Sequence, residues 1–184
     1  TVAIGSSALT ALTDGEGNLA IGYQSMVQHV DGHRNVAIGY QAMYQNAGSN
    51  AANSNDNIFI GYQAGAGDWG NSAETNINIG IGTYALDAAM DGALYNIAIG
   101  KSSLSALTEA DYNTAIGYTS GEALTTGAYN TMMGSGALKT ATTATYNAAF
   151  GKDAMGSVKA GVAVSSCVAV GYAALEGNSS NTTG

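Results

Sequence analysis

The chain is poor in charge, in aromatic side chains, in cysteine and in proline. Proline is absent from the 184 residues, cysteine occurs once, and only 10% of the residues are charged. A chain without proline is neither collagen nor a proline-rich linker. A single cysteine excludes an intrachain disulfide framework and a multi-cysteine zinc site. The net charge of −8 disfavours a nucleic-acid partner. No apolar run reaches the roughly 18 residues of a transmembrane helix, so we expect no membrane insertion.

Glycine is abundant instead, and it marks an internal repeat. Ten copies of a five-residue motif, such as NVAIG, each end at a glycine that we call position 0. The base repeat is 17 residues long, and the longer steps contain insertions within 44–56, 65–77 and 156–166. The chain opens without methionine and stops inside a further repeat, so residues 1–184 are expected to be one repetitive segment of a longer protein. The anchor glycines are Gly5, Gly22, Gly39, Gly61, Gly82, Gly100, Gly117, Gly134, Gly151 and Gly171.

The residues before each anchor glycine alternate in size. Positions −3 and −1 are mostly Val, Ile or Leu, whereas positions −4, −2 and 0 are mostly Asn, Ala and Gly. This period of two predicts a short strand rather than a helix. A single repeat is too short to bury its own apolar side chains, but stacked repeats can do so. The sequence therefore predicts an all-β fold, a parallel β-solenoid of about ten coils with one repeat in each coil.

An asparagine column precedes the strands at position −4. Stacked asparagine side chains can donate and accept amide hydrogen bonds from coil to coil, which predicts a structural ladder. The alternatives are a turn residue with unusual dihedral angles or a ligand contact. The column consists of Asn18, Asn35, Asn57, Asn78, Asn96, Asn113, Asn130 and Asn147.

The strand segments carry almost no charge. Positions −4 to +4 of the ten copies contain only Lys101, Lys152 and Asp153 as charged residues. A strand with one face in water should alternate with polar residues, so we expect both faces to be covered. One face would fill the core of the coil, and the other, formed by small residues such as Ala37 at position −2, would contact another chain. This favours a homo-oligomer over a single thin solenoid with a neutral outer face.

Three segments resemble the repeats of bacteriophage tail-fibre proteins. They are NLAIGYQSM (18–26), NVAIGYQAM (35–43) and NTAIGYTSG (113–121). The AIG core is also similar to the head repeats of trimeric autotransporter adhesins, whose shorter repeats form a trimer of parallel β-rolls. The resemblance implies a homotrimeric structural shaft or adhesin-like segment of an extracellular fibre. Such a fibre belongs to a virion tail involved in host attachment or, alternatively, to a bacterial surface adhesin or filament.

The sequence offers little catalytic chemistry. GAGDWG (65–70) fits G-x-G-x-x-G, but another repeat strand follows it instead of a helix, which indicates a glycine-rich loop. His29, Asp31 and His33 could bind a metal, although a solvated polar loop explains them as well. A polysaccharide depolymerase would need paired carboxylates in a groove, and no pair is conspicuous. We therefore expect no enzyme, catalytic residue or cofactor.

Tyrosine and tryptophan supply the candidate contact residues. Tyr23, Tyr40 and Tyr62 follow the anchor at position +1, and four consecutive repeats have tyrosine at position −5. Stacked tyrosines would stabilise packing between coils or present a platform to sugar rings.

The single tryptophan lies in one of the insertions. Loops 44–56 and 65–77 are predicted to form a joint contact patch, with Trp69, Asp68 and Tyr44 in the loops and Tyr62 close to the second loop. Its partner would be a cell-surface glycan or another fibre protein. The alternative is that Trp69 packs back on Tyr62 or Phe59.

Overall fold

The chain folds into ten short parallel strands with one strand in each coil. The computed structural model describes residues 1–44, 54–69, 73–158 and 164–177, and these contain no helix. The strands are β1 (Val2–Ile4), β2 (Leu19–Ile21), β3 (Val36–Ile38), β4 (Ile58–Ile60), β5 (Ile79–Ile81), β6 (Ile97–Ile99), β7 (Thr114–Ile116), β8 (Thr131–Met133), β9 (Ala148–Phe150) and β10 (Val168–Val170).

All ten strands form one sheet in the order of the chain. Each strand pairs in parallel with the next, so that equivalent residues such as Ile21, Ile38 and Ile60 stack in one column. The parallel β-solenoid predicted from the repeat is therefore confirmed. Nine steps at about 4.8 Å each give a rod about 43 Å long.

Each strand ends at its anchor glycine because no other residue fits there. The φ angles of these glycines lie between 123° and 141°. A Cβ atom on Gly22 would stand 2.3 Å from the carbonyl oxygen of Gly39 in the next coil. Beyond the glycine, the amide of Ser25 donates to the carbonyl oxygen of Gly22 at 3.4 Å and closes a turn. Gln24 in that turn has a left-handed φ of 53°, as the third residue of a type II turn requires.

The interior of the coil holds position −2, which corrects the expected assignment of the two strand faces. Ala20, Ala37 and Ala98 are fully buried, whereas the residues at −3 and −1 on either side of them are partly exposed. The narrow interior of so short a coil leaves room for alanine, so the larger Val and Ile side chains point outwards. A charge placed at Ala37 would therefore enter the core rather than a contact between chains.

Two larger residues at position −2 fit because glycines surround them. Phe59 lies between Gly80 and Gly65, where a Cβ atom on either glycine would stand 2.6 Å from the phenyl ring. Met132 is accommodated by Gly121, where a Cβ atom would stand 3.0 Å from the methionine sulfur. The core volume is thus conserved over neighbouring coils rather than within each one.

The asparagines at position −4 form a continuous, buried amide ladder. Nδ2 of Asn113 donates to Oδ1 of Asn96 at 3.2 Å and to the carbonyl oxygen of Gly127 at 2.9 Å. Oδ1 of Asn113 in turn accepts from the backbone amide of Asn130 at 3.0 Å and from its Nδ2 at 2.9 Å. The same arrangement joins all eight asparagines and ends at the backbone amide of Cys167. The structural ladder expected from the sequence is present.

Candidate functional site

The most unusual surface of the molecule is the outward side of the strands. We define the outer face as positions −5, −3, −1 and +1 of every coil. Every exposed large hydrophobic side chain of the described residues lies on this face, with the single exception of Leu175. Val and Ile occupy the middle columns, and tyrosines occupy much of the two edges. Apolar exposure confined to one continuous face marks an interaction surface.

The apolar strip along the strands is tall and narrow. Its height is about 43 Å, and each strand of three residues gives it a width of about 10 Å. Position −5 lies beyond the strand, in a bend with a left-handed φ of 56–60°. The strip of roughly 430 Å² falls within the range of the largest apolar patches on monomeric proteins, which are often functional.

The acidic residues of this acidic chain lie almost entirely off the outer face. Asp56 is the one carboxylate on it, and Arg34 of the preceding coil neutralises it through contacts of 2.6 and 2.8 Å. The hydrogen bonds from Arg34 lower the pKa of Asp56, and the same contacts raise the pKa of Arg34. Lys101 and Lys152 at position +1 are the other charged residues of this face. A surface without unpaired carboxylates can approach a second acidic chain without the electrostatic repulsion that the rest of the molecule would cause.

Position −5 carries a column of stacked tyrosines. The ring centroids of Tyr95, Tyr112, Tyr129 and Tyr146 are 4.9, 5.0 and 5.1 Å apart, and neighbouring rings are within 10° of parallel. Burial against these neighbours, and then the adjacent phenols, raise the pKa of Tyr112. Because neighbouring rings cover one another's faces, Tyr112 and Tyr129 present only edges and hydroxyl groups to solvent, and the end rings Tyr95 and Tyr146 each have one face covered. This geometry favours the structural role of the column over a platform for sugar rings, which stack on exposed ring faces.

Position +1 carries a second tyrosine column at the opposite edge. Tyr23, Tyr40 and Tyr62 stack at 5.3 Å, and Tyr84 meets Tyr62 edge to face at 5.5 Å. The glutamines that follow the first three tyrosines form a side-chain amide ladder with distances of 2.9 and 2.8 Å. Further along this edge, Lys152 lies 5.3 Å from the ring of Tyr172, which is within cation–π range.

Trp69 is not the exposed contact residue that the sequence suggested. Its side chain is only 1% exposed, and its ring lies 5.5 Å from that of Phe59 inside the solenoid. Asp68 and Tyr62 are exposed, whereas Tyr44 is partly buried. The expectation of an exposed tryptophan was wrong, and the alternative of packing on Phe59 is the one observed. The proposed contact patch thereby loses its central residue.

The histidine cluster is divided between the core and the surface. His29 is fully buried, with Nε2 3.1 Å from Nδ2 of Asn35, and burial lowers its pKa to about 4. Asp31 instead accepts a hydrogen bond from Thr13, and Nδ1 of His33 accepts one from the amide of Glu16 at 3.0 Å. The three side chains therefore do not converge, and the described residues contain no group of three metal-ligating side chains. The alternative interpretation, a solvated polar loop, is also wrong for His29, because this residue is buried in the core although it lies in the loop between β2 and β3.

Each of the three insertions lies partly outside the described residues. Residues 45–53, 70–72 and 159–163 lie outside the described residues. Of the glycine-rich stretch 65–70, all but Gly70 is described, and Gly65 lies in a turn against Phe59. The described residues that resume at Ala73 contain no helix before β5. No helix in the described part of the chain has the length and hydropathy needed to cross a bilayer.

Comparison with known proteins returns nothing for this chain. No protein-family model, curated protein or solved structure matches it. The function must therefore be argued from the outer face and the repeat themselves.

The sequence pattern did not lead us to expect that positions −3 and −1 face outwards, although it contains a signal for this orientation. Position −2 is almost always Ala or Gly, and the one Phe there is followed in the next coil by Gly80. Such size compensation is typical of a confined core column. Positions −3 and −1 vary freely between Ile, Thr, Met and Phe without compensation in the next coil, as expected of side chains that point outwards.

Proposed function

We propose that this chain is a shaft segment of an extracellular fibre, of the kind found in bacteriophage tail fibres involved in host attachment. The observation that carries the proposal is the outer face, a continuous apolar surface on a rod of in-register coils. Because every coil repeats the same ladder and the same turn, such a rod would give a fibre length and stiffness. The resemblance of its NxAIGYQ-type repeats to tail-fibre repeats supports the same role. A bacterial surface adhesin or extracellular filament is the second candidate, since it would use the same solenoid.

Self-association through the outer face is part of this proposal, with a homotrimer as the expected assembly. The exposed apolar columns and the absence of unpaired acids both suit a second copy of this acidic chain. Burying the Ile and Val columns against another copy would remove the largest exposed apolar surface from water, at about 25 cal/mol per Å².

A matched pair of charge insertions tests this assembly. Ile81→Glu places a carboxylate in the outer face, whereas Ala89→Glu places one on an exposed position of the same coil outside it. We expect Ile81→Glu to reduce the sedimenting mass to that of the single chain and Ala89→Glu to leave the assembly intact. Equal masses for both variants and the unmodified chain would contradict assembly through this face.

Deletion of whole coils tests the shaft role separately. Removing residues 101–134 joins Gly100 to Ser135 in register and should shorten the rod by about 10 Å, two coils at about 4.8 Å each. In the parent fibre, a shaft should tolerate this deletion with host attachment preserved. Deletion of residues 101–108 breaks the register and serves as the misfolded control. Loss of attachment with a correctly folded, shortened rod would instead favour an adhesive role for these coils.

A further inference from the structure

We propose that the tyrosine column at position −5 is a site of oxidative cross-linking, where neighbouring coils become joined covalently through dityrosine. The column consists of Tyr95, Tyr112, Tyr129 and Tyr146. Both tyrosines of each link belong to one chain, so the modification does not depend on self-association.

The backbone holds these tyrosines in the same orientation in every coil. Their φ angles lie between 56° and 60°, so each side chain leaves the coil in the same direction. The amide of Tyr112 donates to the carbonyl oxygen of Leu94 at 3.0 Å, and that of Tyr129 donates to the carbonyl oxygen of Asp111 at 3.1 Å. The spacing of the rings is therefore set by the stacking of the coils.

The rings lie close enough for neighbouring phenols to couple. Their centroids are 4.9, 5.0 and 5.1 Å apart, and neighbouring planes are within 10° of parallel. Each side chain is between 43% and 61% exposed, and exposed side chains reorient within picoseconds to nanoseconds. A rotation about the side-chain bonds can therefore bring the ortho carbons of two neighbouring rings into bonding distance while the backbone hydrogen bonds stay intact.

The coupling balances with a peroxide as the oxidant. A haem peroxidase that consumes one hydrogen peroxide removes one electron and one proton from each of two phenols, which gives two phenoxyl radicals and two water molecules. The unpaired electron of a phenoxyl radical is shared with the ortho carbons, so two neighbouring radicals combine there in a new carbon–carbon bond. The hydrogen on each of these carbons then moves to the phenol oxygen, and the chain has lost two hydrogen atoms in all.

Proximity favours coupling within the column over coupling at isolated tyrosines. Two reactants that are held in position react as if at a concentration far above that reached in solution. Tyr118 at position +1 is more exposed than Tyr112, but its counterparts in the coils before and after it are Lys101 and Ser135. An oxidant can reach Tyr118, yet neither neighbouring coil offers it a phenol at the same position.

The stacked tyrosines at position +1 share the geometry of the column at a wider spacing. Tyr23, Tyr40 and Tyr62 stack at 5.3 Å, and Tyr84 contacts Tyr62 edge to face. Tyr40→Phe and Tyr84→Phe interrupt these contacts, because a phenyl ring without a hydroxyl group forms no phenoxyl radical. The two substitutions together supply a background in which position +1 does not contribute.

Two double variants of the same composition test the column in that background. Tyr95→Phe/Tyr146→Phe leaves Tyr112 and Tyr129 in neighbouring coils at 5.0 Å. Tyr112→Phe/Tyr129→Phe instead leaves the two outer tyrosines three coils apart, about 14 Å. Circular dichroism checks that both variants fold alike. After treatment with hydrogen peroxide and a haem peroxidase in dilute solution, we expect roughly ten-fold more dityrosine in single chains of the first variant.

Three measurements detect the link and its location. Dityrosine fluorescence gives the yield, and denaturing electrophoresis separates single chains from covalently joined ones. Mass spectrometry of proteolytic peptides locates the bond through the loss of two hydrogen atoms. Equal yields in the two variants, including no yield in either, overturn the proposal, as do links that are found only between chains.

Urea unfolding tests whether the link joins the coils mechanically. Tyr112 and Tyr129 are 17 residues apart in the sequence, so a bond between them closes a loop and removes conformational freedom from the unfolded chain. Linked single chains of the first variant should unfold at a higher urea concentration than chains treated with peroxide alone. An unchanged midpoint in chains that carry the link would contradict the covalent joining of neighbouring coils.

Discussion

Replacement of Asn113 by alanine tests how much the amide ladder contributes to the fold. The substitution removes a side chain that bonds in both directions along the solenoid. The carbonyl oxygen of Gly127 loses its 2.9 Å donor, and the backbone amide of Asn130 loses its 3.0 Å acceptor. Both Gly127 and Asn130 are buried, so water cannot replace these partners without opening the coil.

The expected cost follows from these two groups. A buried donor or acceptor left without a partner costs about 1–3 kcal/mol. Two such groups at roughly 2 kcal/mol each predict a loss of about 4 kcal/mol for Asn113→Ala. Asn147→Ala supplies the matched control because its acceptor serves only Cys167, which is partly exposed. Water can reach that end of the ladder, so we expect a loss of about 1 kcal/mol there.

Denaturant unfolding and amide hydrogen exchange measure the two effects together. Unfolding in urea gives the loss of stability of the whole solenoid, and hydrogen exchange at the Asn130 amide gives the loss at that coil. Both are needed because long repeat arrays depart from two-state unfolding. The Asn130 amide should lose its protection in Asn113→Ala and retain it in Asn147→Ala. Equal and small destabilisation of both variants would refute the ladder as a main source of stability.

Substitutions at four further residues test separate features of the solenoid. Ser102 has a left-handed φ of 54° and is only partly buried, so Ser102→Gly should raise the unfolding free energy by about 0.5–1 kcal/mol. Thr114→Gly, in strand β7, should lower it. Partial burial raises the pKa of Asp87 to about 6, so the ionised carboxylate destabilises the fold at neutral pH. After allowing for solvent screening, Asp87→Asn should raise the unfolding free energy by about 1 kcal/mol at pH 7 and leave it unchanged at pH 4. In the Asp87→Asn background, the lowered pKa of His29 predicts full stability above pH 6.5 and a loss of up to about 3 kcal/mol as the pH falls towards 4. His29→Gln should abolish this pH dependence of the unfolding free energy. If the pH dependence survives, His29 is not its source. Nε1 of Trp69 is buried without a hydrogen-bond partner among the described residues, so Trp69→Phe should stay within about 1 kcal/mol of the unmodified chain while Trp69→Ala loses about 3–5 kcal/mol.

The fold followed from the sequence because the repeat constrains it at every coil. A regular spacing, a glycine that no other residue can replace and an asparagine ladder all specify the same stacking. Gly22, for example, is required both by its φ of 137° and by the approach of the Gly39 carbonyl oxygen. The expectation that Ile21, Ile38 and Ile60 share one column required no other information.

The orientation of the strand faces did not follow, for a physical reason. Alternation separates two faces but does not say which one is inside, and hydrophobicity alone favours burying Ile over Ala. The narrow width of the coil reverses that preference, and the clue lay in residues of neighbouring coils such as Phe59 and Gly80. Trp69 was misplaced for a similar reason, because its partner Phe59 belongs to the core of the same coil rather than to its loop.

Sedimentation equilibrium of the unmodified chain over a range of concentrations tests the central claim most directly. A shaft that assembles through its outer face should sediment with a mass that is a multiple of 18.4 kDa. We expect three times that value. The mass of a single chain at every concentration, with the strands folded, would show that the outer face has no partner in a second copy, and the proposed shaft assembly would be wrong.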